Sequence, residues 1–328
     1  MKIIPLSKFN CIGALLQAAK KYGVTVEVID EKSQLMIFSK NRKSCYVKRH
    51  VIDINSQMAS MLTSNKFLTK RLLAKNGIPI PAGFKERNLE KVLTKLADEE
   101  IKFPLVVKPT NGSQGGAVTV DIQNKEWLEK AIEETKRYNS LKRSRPNAFL
   151  VEEYIPGDDF RFLILDGKVL TVLMRKPAYV VGDGQKTIGE LIDEYNGQPG
   201  VAKNQPLCPI IKDYEFNRNL LEQNLSEETI AKKGNLIHLR KSANVSTGGR
   251  SFECFAKVNQ KYFALMEKIV KIFSIRFCAV DIIAEDIGKF ENFKVIELND
   301  SPGFDIHEAP FEGRSFRVAE RLVNLIFA

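Results

Sequence analysis

The sequence predicts an α/β protein assembled from α+β lobes, with a small α/β unit at its N-terminal end. Three observations lead there. Helical and strand periodicities alternate over residues 1–62, as in "IGALLQAAKKYG", "VTVEVID" and "LMIFS". Asp-Gly pairs at 166–167 and 183–184 punctuate apolar runs where tight turns belong. Beyond residue 258 the pattern alternates again, with a helix predicted at 259–273, strands at 277–284 and 293–299, and a helix at 315–327.

The intervening elements follow in order. In "NKFLTKRLLAKNGIPIPAG", Phe67, Leu68, Arg71, Leu72 and Leu73 predict a helix with one apolar side, ended by Gly77 and the prolines beyond it. "FPLVVKP" is a short strand, "TNGSQGGAVTVD" a glycine-rich connection to another, and "WLEKAIEETKRY" a helix. "FLVEEYI" and "DFRFLILDGKVLTVLMRK" supply strands. Thr187 and Glu190 form a capping-box pattern that opens a helix. Residues 197–240 read as polar and irregular, with one helix near 215–224, which suits a substrate loop.

The composition bounds the class. The 328 residues are 44% hydrophobic and 27% charged, enough for a full core and about two to three domains. No apolar run approaches the ~18 residues of a membrane span. The opening segment is interrupted by Pro5, Lys8, Asn10 and Gln17, so it does not read as a secretory signal. The five cysteines are scattered without a C-x-x-C pair, which favours reduced thiols in a cytoplasmic protein and, with three histidines, argues against zinc. The net charge of +10 favours anionic ligands. Its densest runs, "KNRKSCYVKRH" and "KRYNSLKRSR", lack the interleaved aromatics of a single-strand binder, so no nucleic acid and no membrane partner is expected. A homo-oligomer is compatible with the sequence.

The chemistry concentrates near the C-terminal end. In "VIELNDSPGF", Glu297 and Asn299 are two apart and share a strand face. The preceding strand carries Asp281 among apolar neighbours. A hairpin centred on Lys289 puts Asp281 opposite Glu297, and opposed carboxylates need a cation or a shared proton. With the Asn299 amide beside them, these hard oxygen donors select Mg²⁺. Upstream, "VVKPTNGSQGGAV" ends a strand on Lys108 and continues into Gly112, Ser113, Gly115 and Gly116, where backbone N–H groups can close on phosphate oxygens. It is neither a P-loop nor a clean G-x-G-x-x-G. "LVEEYIPGDDFRF" offers a strand edge for a purine and Asp159 for a ribose hydroxyl.

Taken in order, these motifs resemble the ATP-grasp ligases. "ELNDSPGF" is similar to the metal-binding strand of D-alanine–D-alanine ligases. "NKFLTKRLLAKNGIPIPAG", "GDGQKTIGEL", "LRKSANVSTGG" and "FEGRSFRVAERLVNLIF" resemble the ATP-grasp core of cyanophycin synthetases and bifunctional glutathione synthetases, from about residue 13 onward. The resemblance implies a pre-ATP-grasp unit at 1–62, a small lobe with the glycine-rich loop at 63–155, and a large lobe with the metal site at 156–328. ATP would lie between the lobes. Lys66 and Lys108 would neutralise its phosphates and the 110–117 loop would cover them. Glu152, Glu153 and the Ile155 backbone would face adenine, and Asp159 the ribose. Asp281, Glu297 and Asn299 would carry two Mg²⁺ ions, replaceable by Mn²⁺. Arg240, Asn244 and the turn Ser246, Thr247, Gly248, Gly249 would lie at the transferred phosphate, and Arg161 and Arg175 would meet phosphate or substrate carboxylate.

The implied activity is amide formation from a small acid and an amine through an acyl phosphate. A kinase of the same fold, a non-catalytic ATP-binding module and, last, a basic nucleic-acid binder are the rivals. Three departures stand out. The Mur-ligase-like domain of cyanophycin synthetases and the glutamate–cysteine ligase domain of the glutathione enzymes have no counterpart here, so one coupling is expected. "RSFECFAKV" replaces an acidic run, which leaves the amine open. Ala279 stands where D-alanine ligases carry an arginine, so Arg240 is expected to supply that charge.

Overall fold

The computed structural model describes residues 10–98, 100–111, 116–141, 148–202 and 207–328. The chain opens with α1 (Cys11–Lys21), capped by the Asn10 side chain, which accepts from the Gly13 amide. An antiparallel meander follows: β1 (Thr25–Asp30), β2 (Leu35–Lys40), β3 (Lys43–Lys48) and β4 (Val51–Ile52). Strand β3 lies within the basic run "KNRKSCYVKRH", and β4 follows it directly. Only Cys45 and Val47 of β3 turn inward, and Asn41 and Arg42 adopt the left-handed backbone that a tight hairpin needs.

Next come α2 (Gln57–Ser64) and α3 (Lys66–Lys75). Asn65 caps α3, and Gly77 leaves it at positive φ. The buried face of α3 is Thr69, Lys70 and Leu73, while Leu68 is exposed, so the apolar side read from the sequence is rotated from the real one. The small lobe is a four-stranded sheet of β5 (Gly83–Glu86), β6 (Leu105–Pro109), β7 (Thr119–Ile122) and β8 (Phe149–Glu153), in the order β5-β8-β6-β7. Helices α4 (Leu89–Ala97) and α5 (Lys125–Leu141) cover its core of Val107, Ile122, Leu128 and Val151.

The large sheet joins β9 (Asp158–Leu165) to β10 (Lys168–Lys176) through the predicted Asp166-Gly167 turn. Then come β11 (Tyr179–Val181), α6 (Ile188–Gly197) with its full capping box, α7 (Pro199–Ala202), α8 (Tyr214–Glu222), β12 (Leu236–His238) and β13 (Arg250–Glu253). The chain ends with α9 (Gln260–Phe273), β14 (Phe277–Ala284), β15 (Phe293–Asn299), α10 (Asp305–Glu308) and α11 (Val318–Phe327). The strand order is β13-β10-β9-β14-β15. Both late strands and the hairpin register match the sequence reading: Asp281 pairs with Glu297, and a bulge follows at Ile296.

The described residues of 197–240 do not form an irregular loop. Ile210, Phe216, Leu220, Ala231 and Leu239 share a core with Ile188 and Ile192, so the excursion and its flanks form a folded unit. Cores also run across the boundary expected at residue 62. The N-terminal meander packs with Leu163, Phe277 and α11, while Ala59 and Leu73 join the core under the large sheet.

Strand alternation explains where the site lies. On β9 and β14, Phe160, Phe162, Ile164, Cys278, Val280 and Ile282 face α9. The intervening positions face the N-terminal unit, where Leu163, Leu165, Phe277 and Ala279 are buried. The same face continues into Asp159, Arg161 and Asp281, and there the N-terminal unit no longer covers it.

Candidate active site

A cavity of about 780 Å³ opens over that uncovered half of the large sheet. The predicted residues in its walls come from three places. Lys66, Lys108, Gly116, Glu152, Glu153 and Ile155 belong to the small-lobe side. Asp159, Arg161, Arg175, Asp281, Glu297 and Asn299 belong to the large sheet. Asn244 and Ser246 belong to the turn after β12. The cavity thus gathers most of the predicted site.

The large-sheet end is a compact charge cluster. Asp281 is 3% exposed. Arg161 grips it with both arms: Nε donates to Oδ1 at 2.8 Å and Nη2 to Oδ2 at 2.7 Å. Arg175 Nη2 adds a bond of 2.9 Å to Oδ2 and its Nε donates to Asp159 at 2.7 Å. Burial opposes ionisation of Asp281, but the two guanidiniums outweigh it and hold the carboxyl far below its usual range. Burial raises Asp159 above the usual range against the pull of Arg175. Across the hairpin, Glu297 is ion-paired to Lys66. His307 is wholly buried beside these arginines, and neither ring nitrogen has a hydrogen-bond partner among the described residues.

The cation that facing carboxylates demand is therefore supplied by the protein itself. Among the described residues no group of three or more His, Cys, Asp and Glu side chains forms a ready-made metal cage. Asp281, Glu297 and Asn299 nevertheless offer two carboxylates and an amide to one cavity. That hard-oxygen donor set fits Mg²⁺, which takes few protein ligands and completes its shell with water and phosphate.

The small-lobe end is organised by Glu152. Its two carboxylate oxygens bind Lys70 Nζ and Lys108 Nζ, each at 2.7 Å, and all three side chains are buried. Burial opposes the charge on Glu152, but Lys108 and Lys70 outweigh it and hold the carboxyl below its usual range. Burial pushes the Lys70 ammonium down to about 8, helped by Lys108 and Lys66 and opposed by Glu152. Glu152, expected to face adenine, thus has its carboxylate bound to two lysines. The Glu153 carboxylate accepts from the Ala82 amide.

Several expectations land elsewhere. Gly112, Ser113 and Gly115 lie outside the described residues. Arg240 does not line the cavity: its Nη2 bonds the Ile211 carbonyl at 2.9 Å and meets Asp213 at 2.5 Å. It is the next residue, Lys241, that lines the cavity, held by Asp121 at 2.7 Å and Glu222 at 2.6 Å. The guanidiniums that reach Asp281 are those of Arg161 and Arg175. Thr247, Gly248 and Gly249 also stand behind the lining. A Cβ on Gly248 would meet Ile210 at 2.7 Å, and one on Gly249 would meet two carbonyl oxygens at 2.8 Å, so these glycines serve packing. The sequence does not point to Lys70, to Lys241, to the N-terminal contributors Cys11, Arg49 and His50 or, from α10, to Asp305. For Arg49 and His50 the only signal is the end of the basic run that also conceals β3.

Helix α8 bolts the 197–240 unit to the small lobe. Arg218 donates to the carbonyls of Val120 and Asp121 on β7, both at 2.9 Å, and bonds Glu215 at 3.0 Å. Burial pushes Glu215 up to about 7 against the pull of Arg218 and Arg240. The folded state then holds the extra proton between about 4.5 and 7, so this stabilisation is full below that window and lost as pH rises through it. Urea denaturation at about pH 5 and pH 8 checks this. Wild type should lose on the order of 1–3 kcal/mol relative to Glu215→Gln over that interval. Parallel pH profiles of the two proteins would contradict it.

Comparison with known proteins agrees with this architecture. Residues 63–179 match the family model of the RimK-like ATP-grasp domain. The glutathione biosynthesis bifunctional protein of Listeria innocua is 32% identical over 312 residues, covering 93% of this chain and 39% of that protein. The cyanophycin synthetase of Trichormus variabilis is 29% identical over 320 residues, covering 96% and 34%. The crystal structure of a bifunctional glutathione synthetase from Pasteurella multocida superposes with a TM-score of 0.66 at 29% identity, covering 96% of this chain and 44% of that one. The chain spans less than half the length of these relatives. Among the described residues no helix is long and apolar enough to cross a membrane.

Proposed function

From the match of residues 63–179 to the RimK-like ATP-grasp domain, we propose that the chain is an ATP-dependent carboxylate–amine ligase. The observation that carries this reading is the joining, in one cavity, of the Lys66 and Lys108 ammoniums with the oxygen donors Asp281, Glu297 and Asn299 and the arginines 161 and 175. Nucleotide phosphates need the first group, a transferring phosphoryl the second, and a substrate carboxylate the third.

In this reading the substrate carboxylate attacks the γ-phosphorus of ATP, breaking the bond to the bridging oxygen and releasing ADP. The amine then attacks the acyl carbon, and phosphate leaves with the former carboxylate oxygen. Lys66 and Lys108 neutralise the phosphates, while Glu152 fixes the position of Lys108. Ile155 and Glu153 offer the strand edge for the base, and Asp159 the ribose contact. Asp281, Glu297 and Asn299 would hold Mg²⁺, two ions with Mn²⁺ able to substitute, in place of the charge that Arg161, Arg175 and Lys66 now supply. Bound there, the metal contributes electrostatic neutralisation of the transferring group. Arg161 and Arg175 would orient the acid and share its developing charge. Lys241 takes the place expected for Arg240.

The substrates proposed are an amino acid or small peptide carboxylate and a small amine. The setting proposed is reduced and cytoplasmic, which scattered cysteines without a C-x-x-C pair suit. ADP release with a panel of such acids and amines, followed by mass spectrometry, tests the reading. A ligase yields an amide and free phosphate for at least one pair. A stable phosphorylated acid or alcohol as end product would make the protein a kinase, and nucleotide binding without turnover on any pair would leave a binding module.

A further inference from the structure

A second cleft, of about 490 Å³, lies on the same strand as Arg175 but toward its other end. Leu170 marks it there, five residues back, about 17 Å along an extended strand. Tyr22, Leu170, Phe255 and Phe316 supply its apolar wall, and Ser315, Glu320 and Asn324 line it as well. The cleft also takes in Arg314, Arg317 and Arg321, all exposed, from the segment that enters α11.

Three features set this cluster apart from an ordinary solvated basic face. None of the three guanidiniums has a carboxylate partner among the described residues. The acid beside them, Glu320, is engaged by Lys21 at 2.7 Å. The arginines are held by the cleft's own wall: Arg314 lies 5.0 Å from the centre of the Phe316 ring, and Arg321 Nε donates to the Phe316 carbonyl at 3.2 Å. Arg317 has φ 47 and ψ 49, a left-handed backbone that costs a long side chain on the order of 1 kcal/mol or more. Three like charges gathered around an apolar hollow repel one another, and a bound anion removes that repulsion.

The cleft is wired to the main cavity. The Phe316 amide donates to the His307 carbonyl at 3.2 Å, and the Ala319 amide to Glu308 Oε1 at 2.7 Å. His307 and Glu308 close α10, whose first residues, Asp305 and Ile306, line the main cavity. A ligand that reorders residues 314–321 therefore pulls on the segment that shapes the cavity's N-terminal-unit end.

We propose that this cleft is a second, regulatory ligand site for a small organic anion that carries an apolar or aromatic body and at least two negative charges. Arginine forks suit phosphate and carboxylate groups alike, so a phosphorylated metabolite and a polycarboxylate present the same chemistry. The volume is that of a small-molecule site.

Isothermal titration of the full chain tests it, with the main cavity kept filled by excess Mg²⁺ and ADP. The probes are phenyl phosphate, benzene-1,3,5-tricarboxylate and inorganic phosphate. At least one aromatic anion should bind, one molecule per chain and at least about tenfold tighter than inorganic phosphate. Which of the two binds better separates the phosphate source from the carboxylate source. Arg317→Ala/Arg321→Ala should weaken it by at least about tenfold, Arg314→Gln should weaken it less, and removal of a distant charge, Lys32→Ala, should leave it unchanged. No binding of either aromatic anion, or binding that none of the arginine variants alters, or binding no tighter than that of inorganic phosphate would overturn the proposal. Because no turnover is measured, such a failure leaves the ligase reading standing.

Discussion

Replacing Asp281 by Asn should lower turnover by about a hundredfold or more, the loss typical of deleting one group that stabilises transferring charge. The substitution keeps the shape and removes the charge. Arg161 then loses both of its carboxylate bonds, while Arg175 keeps Asp159. Removing one member of a buried ion pair costs about 3–5 kcal/mol, because the partner charge stays behind without compensation. Stability should therefore fall together with activity, and the two need separate measurement. Urea midpoints report the first. Rates at saturating ATP, on protein shown to be folded, report the second. A folded Asp281→Asn protein with undiminished turnover would remove the carboxylate from the proposed chemistry.

The second large effect is at Glu152. Its carboxylate is the one acid holding two buried ammoniums, Lys70 and Lys108, at 2.7 Å each. Glu152→Ala should destabilise the protein by about 3–5 kcal/mol, since two like charges are left facing each other out of water. It should also raise the KM for ATP, because Lys108 loses the partner that fixes it. The double variant Glu152→Gln/Lys70→Met should recover much of the stability, as one charge then no longer needs an anion. A Glu152→Ala protein with wild-type thermal stability would contradict this account of the triad. So would a double variant no more stable than the single.

These effects rest on features of differing legibility. The hairpin from Phe277 to Asn299 is readable because its apolar alternation is strong and its connection short. Those two features alone place Asp281 opposite Glu297. The charge balance around that pair is not readable. Arg161 and Arg175 reach Asp281 only once β9 pairs with β10 and with β14, and they lie 120 and 106 positions from it in the sequence. The carboxylates therefore look uncompensated in the sequence, although the protein compensates them. Strand β3 is hidden for a related reason. With only two inward positions, Cys45 and Val47, its lysines dominate the pattern and a half-buried strand reads as solvated charge. The exchange of Arg240 for Lys241 is a matter of one residue: composition cannot tell which of two adjacent cations turns toward the cavity. Lys70 is illegible because a lysine on a helix is ordinarily a surface residue, and only the Glu152 carboxylate makes its burial tenable.

The fate of the acid's oxygen distinguishes acyl-phosphate transfer from any other route. For an acid and amine that release ADP in the panel, the carboxylate can be labelled with ¹⁸O and the phosphate analysed as amide forms. Transfer through an acyl phosphate predicts one labelled oxygen in each phosphate released. Phosphate free of label, with the departing carboxylate oxygen found in water or another product instead, would contradict it.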